Sequence, residues 1–305
     1  MTDTVLANAT TLSGRPRRAG RKATGLLFVS PAVLIMLVIG LFPFFWSLYV
    51  SVLNITGSNR AGEFIWLGNY EKLFADARVW AAFGRTLLIL AVALPLELIF
   101  GLLLAMHFQA DRPFKRLFVA LLVLPAVVSP MVAGSMWRLM FDHKFGPFNQ
   151  IIGWIMGEPV VLLWVIKPHL AFWAILITEV WQWTPFMFVI LLAALANVDR
   201  EQLEAAEIDG AGRFRVFFRI VLPAIAPVLA IALLIRGLDL FRIFDAVWQL
   251  TRGGPGNKTE TVSIFMYIRG FQSFDTSYTA AMVVVVLIIL SVVVVGILKR
   301  LRIAR

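Results

Sequence analysis

Long uninterrupted runs of apolar residues dominate the pattern along this chain, and charged residues cluster between them. About 20 consecutive apolar residues are enough to carry a helix across a bilayer core. Six segments reach that length, and each is a predicted transmembrane helix: residues 26–53, 86–106, 117–137, 170–196, 220–248 and 278–298. The pattern therefore predicts an all-α membrane protein whose six-helix transmembrane domain covers residues 25–298.

The basic residues are concentrated in alternate hydrophilic segments. Residues 1–24 form a basic tail that we expect to be disordered, because it contains too few apolar side chains to pack a core. Further lysines and arginines lie in the second and fourth connections and in the tail 299–305, among them Arg112, Lys115, Arg116, Arg200, Arg213, Arg215, Arg219, Lys299 and Arg300. Cytoplasmic loops are enriched in such residues, so both termini are predicted to be cytoplasmic.

Composition narrows the class of protein. Of 305 residues, 60% are hydrophobic and 15% are charged, too few for the surface of a soluble domain. The net charge of +10 is explained by cytoplasmic loops, and no basic patch interleaved with base-reading residues suggests a nucleic-acid partner. The chain has no cysteine, which excludes disulfides and thiolate chemistry.

The connection at residues 197–219 carries the most informative local pattern. Asp199 can cap a helix over residues 201–208, and Gly210 suits the left-handed position that ends it. A second helix can start near Gly212. Small residues in this loop would let another protein approach closely, although an ordinary surface helix is an equal alternative on physical grounds.

This loop resembles the EAA motif of permease subunits in binding-protein-dependent ABC importers. The matching residues are Glu204-Ala205-Ala206, Asp209-Gly210-Ala211, Phe217, Ile220 and Leu222-Pro223. The resemblance extends over nearly the whole chain and is to the carbohydrate-uptake branch, whose pattern is also present at Leu67-Gly68-Asn69-Tyr70 and Gly253-Gly254-Pro255-Gly256.

The resemblance implies a fold, partners and a location. The fold would be that of a type I ABC importer permease in the bacterial inner membrane, in contact with lipids. The partners would be a second, distinct permease chain, an extracytoplasmic solute-binding protein, and two ATP-hydrolysing subunits that bind the ATP-Mg. A coupling helix would dock on those subunits through Glu204, Ala205, Ala206, Asp209, Gly210 and Ala211.

No catalytic constellation is visible, and we expect neither a cofactor nor a metal. The chain lacks a phosphate-binding P-loop sequence. His107, His143 and His169 are scattered and have no second metal ligand at a suitable spacing. ATP hydrolysis is therefore expected in a partner chain.

The fifth predicted helix contains four charged residues, which is unusual for a transmembrane helix. Arg236, Asp239, Arg242 and Asp245 recur every three residues, which on one helix gives a ladder of alternating sign. Two interpretations stay open: the ladder neutralises itself and shapes the bundle, or some of its members contact solute. Glu97 is a lone carboxylate in the second predicted helix. It can pair with one of these arginines or face a solute cavity within the bundle.

The fourth helix holds a polar and aromatic cluster of the kind that binds sugars, although an aromatic belt at the membrane interface is an alternative. The predicted solute-binding residues are Glu179, Trp181, Gln182, Trp183, Asp239, Arg242 and Asp245. The outer loop 253–259 is a candidate contact for the binding protein or its ligand.

The predicted function is therefore import of a sugar, polyol or sugar derivative. The two arginines leave open an anionic derivative, such as a phosphate or sulfonate. An ion-coupled secondary transporter is a rival from another class; it would need a coupling-ion site and usually inverted repeats, and no repeat is visible. A membrane enzyme is a further rival, against which the missing catalytic constellation speaks.

Overall fold

The computed structural model describes the backbone of residues 18–110 and 113–303. It describes the side chains of residues 28–110 and 113–300. The chain is mostly helical, with a two-stranded antiparallel hairpin in which Leu53 of β1 (Leu53–Asn54) pairs with Phe64 of β2 (Glu63–Phe64). The helices are α1 (Arg18–Ser51), α2 (Gly68–Ala75), α3 (Ala77–Gln109), α4 (Lys115–Val127), α5 (Pro130–Met140), α6 (Pro147–Met156), α7 (Pro168–Ala196), α8 (Arg200–Ile208), α9 (Arg213–Val216), α10 (Leu222–Phe241), α11 (Asp245–Leu250), α12 (Val262–Tyr267) and α13 (Thr276–Ile303), with π-helical turns at Phe217–Val221 and Ile268–Gln272.

Five helical stretches in the described part of the chain are long and apolar enough to cross a membrane. They are Phe28–Ser51, Ala77–Gln109, Pro168–Ala196, Arg213–Leu250 and Thr276–Arg300. A sixth span exists if the bent pair α4 and α5 is counted as one. The fold is thus helical with five or six apolar spans.

The predicted helix over residues 117–137 is not one straight helix in the structure: it is broken into α4 and α5, which meet at an angle of 96° and count as a span only when taken together. Val128 and Ser129 adopt extended backbone between the two helices. Pro130 explains the break, since a proline disfavours helical backbone in the residue before it and is well suited to start a new helix. The continuous apolar character of the segment concealed this change of direction.

The helix boundaries also differ from the predicted ones at both ends of the chain. Helix α1 begins at Arg18, inside the range 1–24 for which we expected no helix, and residues 1–17 lie outside the described part. The predicted basic tail 299–305 is helical as far as Ile303. The part of α1 up to Tyr49 forms a compact unit of its own, and residues from Val50 onward form a second unit.

Helix α7 is the most buried span of the second unit. In its most apolar 18-residue stretch 56% of the residues are buried, against 22% in α3 and 11% in Arg213–Leu250. Its side chains enter two of the three core clusters and pack there mainly against α3. The two helices approach closely at Gly101, where an added Cβ would lie 2.7 Å from the Cβ of Met187 and 3.0 Å from the backbone nitrogen of Phe188.

We predict that Gly101→Ala destabilises the protein and that Gly84→Ala, the same change in the same helix, does not. The methyl group at Gly101 has no room, and overpacking of this kind costs roughly 1–3 kcal/mol. At Gly84 nothing lies within 4 Å, so alanine adds up to about 1 kcal/mol of helix propensity. Thermal unfolding of both variants in detergent tests this, and equal midpoints would contradict the close α3–α7 packing.

Candidate solute cavity and coupling loop

Three charged side chains from three helices meet inside the second unit. Arg236 of α10 donates from Nε to Oε2 of Glu97 at 2.7 Å and from Nη2 to Oε1 of the same carboxylate at 2.9 Å. Its Nη2 also donates to Oε1 of Glu179 in α7 at 2.5 Å. The three side chains are almost completely buried, with exposed fractions of 2% for Arg236, 0% for Glu97 and 6% for Glu179. We refer to these residues as the buried triad.

The buried triad departs from the predicted ladder. Glu97 does pair with an arginine of the fifth predicted helix, which was one of its two open interpretations. Arg236, however, pairs with α3 and α7 rather than with Asp239. The Arg236 guanidinium also lies over the ring of Trp183, with its Cζ 4.7 Å from the ring centroid. Two carboxylates and an aromatic face therefore compensate for its desolvation.

The rest of the ladder is interrupted because α10 ends at Phe241 and α11 begins at Asp245. The last turn of α10 closes with short-range backbone bonds, from Arg242 to Asp239 and from Ile243 to Leu240. The hydroxyl of Thr261 donates to the Ile243 carbonyl oxygen at 3.2 Å, so this carbonyl group, which lies between the two helices, has a hydrogen-bond partner. A single continuous ladder over residues 236–245 is therefore wrong, and one intrahelical pair remains, from Arg242 to Asp239 at 2.7 Å.

A polar cavity of about 380 Å³ lies next to the buried triad. Its walls come from α5, α7, α10, α11 and the break between the last two: Pro130, Glu179, Trp183, Arg236, Asp239, Arg242, Ile243, Phe244, Asp245 and Ala246. The charged groups can form hydrogen bonds with hydroxyl groups of a solute. The partly exposed indole of Trp183 can contact the apolar face of a sugar ring. The volume falls in the range of small-molecule sites.

Five of the seven predicted solute-binding residues line this cavity, and two lie elsewhere. Glu179, Trp183, Asp239, Arg242 and Asp245 are brought together from three helices. Gln182 is buried, and its amide nitrogen donates to the Val128 carbonyl oxygen at 3.0 Å. Trp181 faces a different cavity. Arg236 was a member of the predicted ladder but not of the predicted solute-binding set; it also lines this cavity.

The second cavity, of about 820 Å³, has almost entirely apolar walls, contributed by α3, α4, α5 and α7. Trp181 lies in this wall beside Trp137, Trp173 and Pro185. Such a lining offers little to a hydroxylated solute. The polar cavity is therefore the better candidate for solute, and Trp181 and Trp183, two positions apart on α7, face different environments.

The loop between α7 and α10 adopts the helix and turn expected from its sequence. Asp199 caps α8 by accepting a bond from the Glu201 nitrogen at 3.0 Å. At the other end of α8, Gly210 has a φ of +69°. The backbone nitrogen of Gly210 donates to the carbonyl oxygen of Glu207, and the backbone nitrogen of Ala211 donates to the carbonyl oxygen of Ala206. These two bonds form a Schellman motif, which requires the left-handed residue at Gly210.

Helix α8 is exposed along most of its surface. Of its residues Ala206 is buried, whereas Glu204 and Ala205 are exposed, as are Asp209 and Gly210 beyond its end. Two large apolar side chains also stand out from this hydrophilic loop: Ile208 is 88% exposed and Phe214 is 84% exposed. Their exposure leaves apolar area on the surface of this loop.

A second ionic cluster, which the sequence did not reveal, holds the loop 253–259. The buried carboxylate of Glu260 accepts two bonds from Arg78, at 2.8 Å from Nε and 2.7 Å from Nη2. Arg85 donates from Nε to the Glu260 carbonyl oxygen at 2.7 Å. Both arginines belong to α3, so the base of this loop is tied to the same helix that carries Glu97.

Within the described ranges, no group of three or more histidine or acidic side chains is close enough together to hold a metal ion.

Comparison with known proteins gives consistent results. Residues 97–302 match the family model described as "Binding-protein-dependent transport system inner membrane component". The chain is 36% identical to the probable ABC transporter permease protein y4oQ of Sinorhizobium fredii, over 88% of this chain and 86% of that one. It is 32% identical to the trehalose/maltose transport system permease protein MalF of Thermococcus litoralis, over 80% and 82% of the two chains.

Two further similarities are to another named permease and to a solved structure. The sulfoquinovosyl glycerol transport system permease protein SmoG of Agrobacterium fabrum is 30% identical, over 87% of this chain and 86% of that one. A chain of a bacterial alginate ABC transporter, solved with its alginate-bound periplasmic protein, superposes with a TM-score of 0.80 over 91% of this chain and 93% of that one. Its sequence identity is 19%, so this likeness concerns the fold alone.

We predict that Arg236→Met lowers the free energy of unfolding far more than Arg242→Met does. The first change leaves two buried carboxylates without a cation, which typically costs roughly 3–5 kcal/mol. The second breaks an exposed pair that contributes at most about 1 kcal/mol. Unfolding in detergent measures both, and adding Glu97→Gln and Glu179→Gln to Arg236→Met should restore most of the loss. Similar losses for the two single variants would contradict the importance of the buried triad.

Proposed function

This chain belongs to the family of binding-protein-dependent inner membrane transport components, and we propose that it forms part of the path by which an ABC importer moves a sugar or polyol across the membrane. The chain would supply one half of that path and a second, distinct permease chain the other half. An extracytoplasmic binding protein would deliver the solute, and two ATP-hydrolysing subunits would drive transport.

The observation that carries this proposal is the pairing of a polar cavity with an exposed coupling loop on the same two helices. Glu179 and Trp183 of α7 and Arg236 of α10 line the cavity. The loop that contains α8 connects these helices. A force applied to the loop would therefore act directly on two walls of the cavity.

The solute class is supported by the cavity lining and by the relatives. Trp183 offers an apolar face, and the surrounding carboxylates and guanidinium groups offer acceptors and donors for hydroxyl groups. Relatives at about a third identity are named for transport of trehalose, maltose and lactose. A hydroxylated solute of this kind suits the cavity in this chain.

The coupling role is assigned to Glu204, Ala205, Ala206, Asp209, Gly210 and Ala211. These residues form a helix and a sharp turn whose direction is set by the left-handed Gly210, and all are exposed except the buried Ala206 and the partly exposed Ala211. Ile208 and Phe214 add apolar area that an ATPase groove would cover. The distribution of lysine and arginine supports a cytoplasmic position for this loop and for both termini, in the inner membrane of a bacterium.

Gly210→Val is predicted to abolish stable association with the ATP-hydrolysing subunits, whereas Gly210→Asn should retain it. Valine cannot adopt a φ of +69° without strain, whereas asparagine reaches the left-handed region readily. No neighbouring atom lies within 4 Å of the position of an added Cβ, so the difference reports backbone conformation alone. Co-purification in detergent followed by ATPase activity is the measurement, and association of both variants at wild-type level would contradict the coupling role.

Uptake by the complete complex in proteoliposomes should depend on internal ATP and on the binding protein. We expect labelled trehalose, maltose or a related glycoside to accumulate at a rate that scales with ATP hydrolysis. Proteoliposomes prepared from the same components with Gly210→Val should show no accumulation, because the ATP-hydrolysing subunits no longer bind stably to the variant. Accumulation driven by an ion gradient without ATP would contradict the proposal and favour an ion-coupled secondary transporter.

A further inference from the structure

Both cations that line the polar cavity are already committed to carboxylates. Arg236 bonds to Glu97 and Glu179 in the buried triad. Arg242, which follows the last residue of α10 and is 68% exposed, bonds to Asp239 at 2.7 Å. Neither arginine is therefore a free positive charge available to an anionic solute.

Asp245 differs from the other acidic residues of the cavity. It lies at the first position of α11, it lines the cavity, and it is partly exposed. Among the described residues no ion pair and no side-chain hydrogen bond involves its carboxylate, whereas Glu97, Glu179 and Asp239 each bond to an arginine. Among the described carboxylates that line the cavity, that of Asp245 is the one with no ion pair or hydrogen bond to the protein.

The sign of the charge around the cavity follows from these groups. The charged side chains that line the cavity are three carboxylates and two guanidinium groups, a formal charge of −1: Glu179, Asp239, Asp245, Arg236 and Arg242. A further cation nearby, Arg138 of α5, donates to the Gln249 carbonyl oxygen at 3.1 Å and is not part of the lining.

We infer that the cavity takes uncharged polyhydroxylated solutes and rejects their anionic derivatives, and that Asp245 is the residue that discriminates between them. A carboxylate can accept hydrogen bonds from two neighbouring hydroxyl groups of a sugar ring. The same carboxylate repels a phosphate or sulfonate, and that repulsion is stronger inside a protein than in bulk water, where the dielectric constant is higher. This inference rests on the proposed function and makes its substrate class narrower.

The test compares matched pairs of solutes in the complete complex. The probes are trehalose with trehalose 6-phosphate, and glucosylglycerol with sulfoquinovosylglycerol, which differ within each pair by one anionic group. ATP-dependent uptake is measured at saturating solute for wild type, Asp245→Asn and Glu158→Gln. The last variant makes the equivalent change at an exposed outer carboxylate away from the polar cavity. All complexes contain the same binding protein, so its own selectivity cancels when the variants are compared.

For wild type we expect uptake of the neutral member to exceed that of the anionic member. In Asp245→Asn we expect this ratio to fall about tenfold, because a negative charge near the solute is lost while the shape of the side chain is kept. The change should appear in the maximal rate, since the binding protein still sets the concentration for half-saturation. Glu158→Gln should keep the wild-type ratio.

Results against these expectations distinguish failure of the selectivity inference from failure of the proposed function. If wild type takes up the anionic member as well as the neutral one, or if Asp245→Asn leaves the ratio unchanged, the inference is wrong while sugar import stands. If no member of either pair stimulates uptake or ATP hydrolysis and a solute of another class does, the proposed function itself fails and the inference falls with it.

Discussion

Arg236 places a full positive charge in a helix that is otherwise apolar for most of its length, and its side chain is 2% exposed. A charge at such a depth is costly unless carboxylates surround it. Glu97 of α3 and Glu179 of α7 supply two, so three helices are joined at one point by groups that no lipid tail can replace. Apolar contacts alone would specify this arrangement weakly, because a lipid environment is as favourable for an apolar side chain as another helix is.

The close packing of α3 against α7 serves the same geometry. Gly101 lies one turn beyond Glu97 and lets the backbone of α7 approach within contact distance. At another point on α3, Arg78 and Arg85 hold Glu260 and with it the base of the loop 253–259. A single helix therefore positions both the buried triad and the loop 253–259, and its neighbours α7 and α10 form walls of the polar cavity.

The proposed coupling follows from the order of elements along the chain. Helix α7 carries Glu179 and ends at Ala196, about 25 Å further along at 1.5 Å per residue. The capped helix α8 follows directly, and the chain then returns through α10 to Arg236. Because the buried triad joins α7 and α10 inside the bundle, a displacement of α8 would reach the cavity through two helices that are already tied together.

The sequence by itself determined those features that arise from local chemistry. Apolar runs located the spans, and Asp199 and Gly210 marked the ends of α8, because caps and left-handed turns depend on a few neighbouring residues. Only the tertiary structure decided the partners of Arg236, which lie 139 and 57 residues away, whereas the sequence placed an acid of the opposite sign three residues off. It also decided that α4 and α5 bend by 96° and that Trp183, not Trp181, faces the polar cavity. Successive residues of a helix point about 100° apart, and which direction meets a cavity depends on how other helices pack around it.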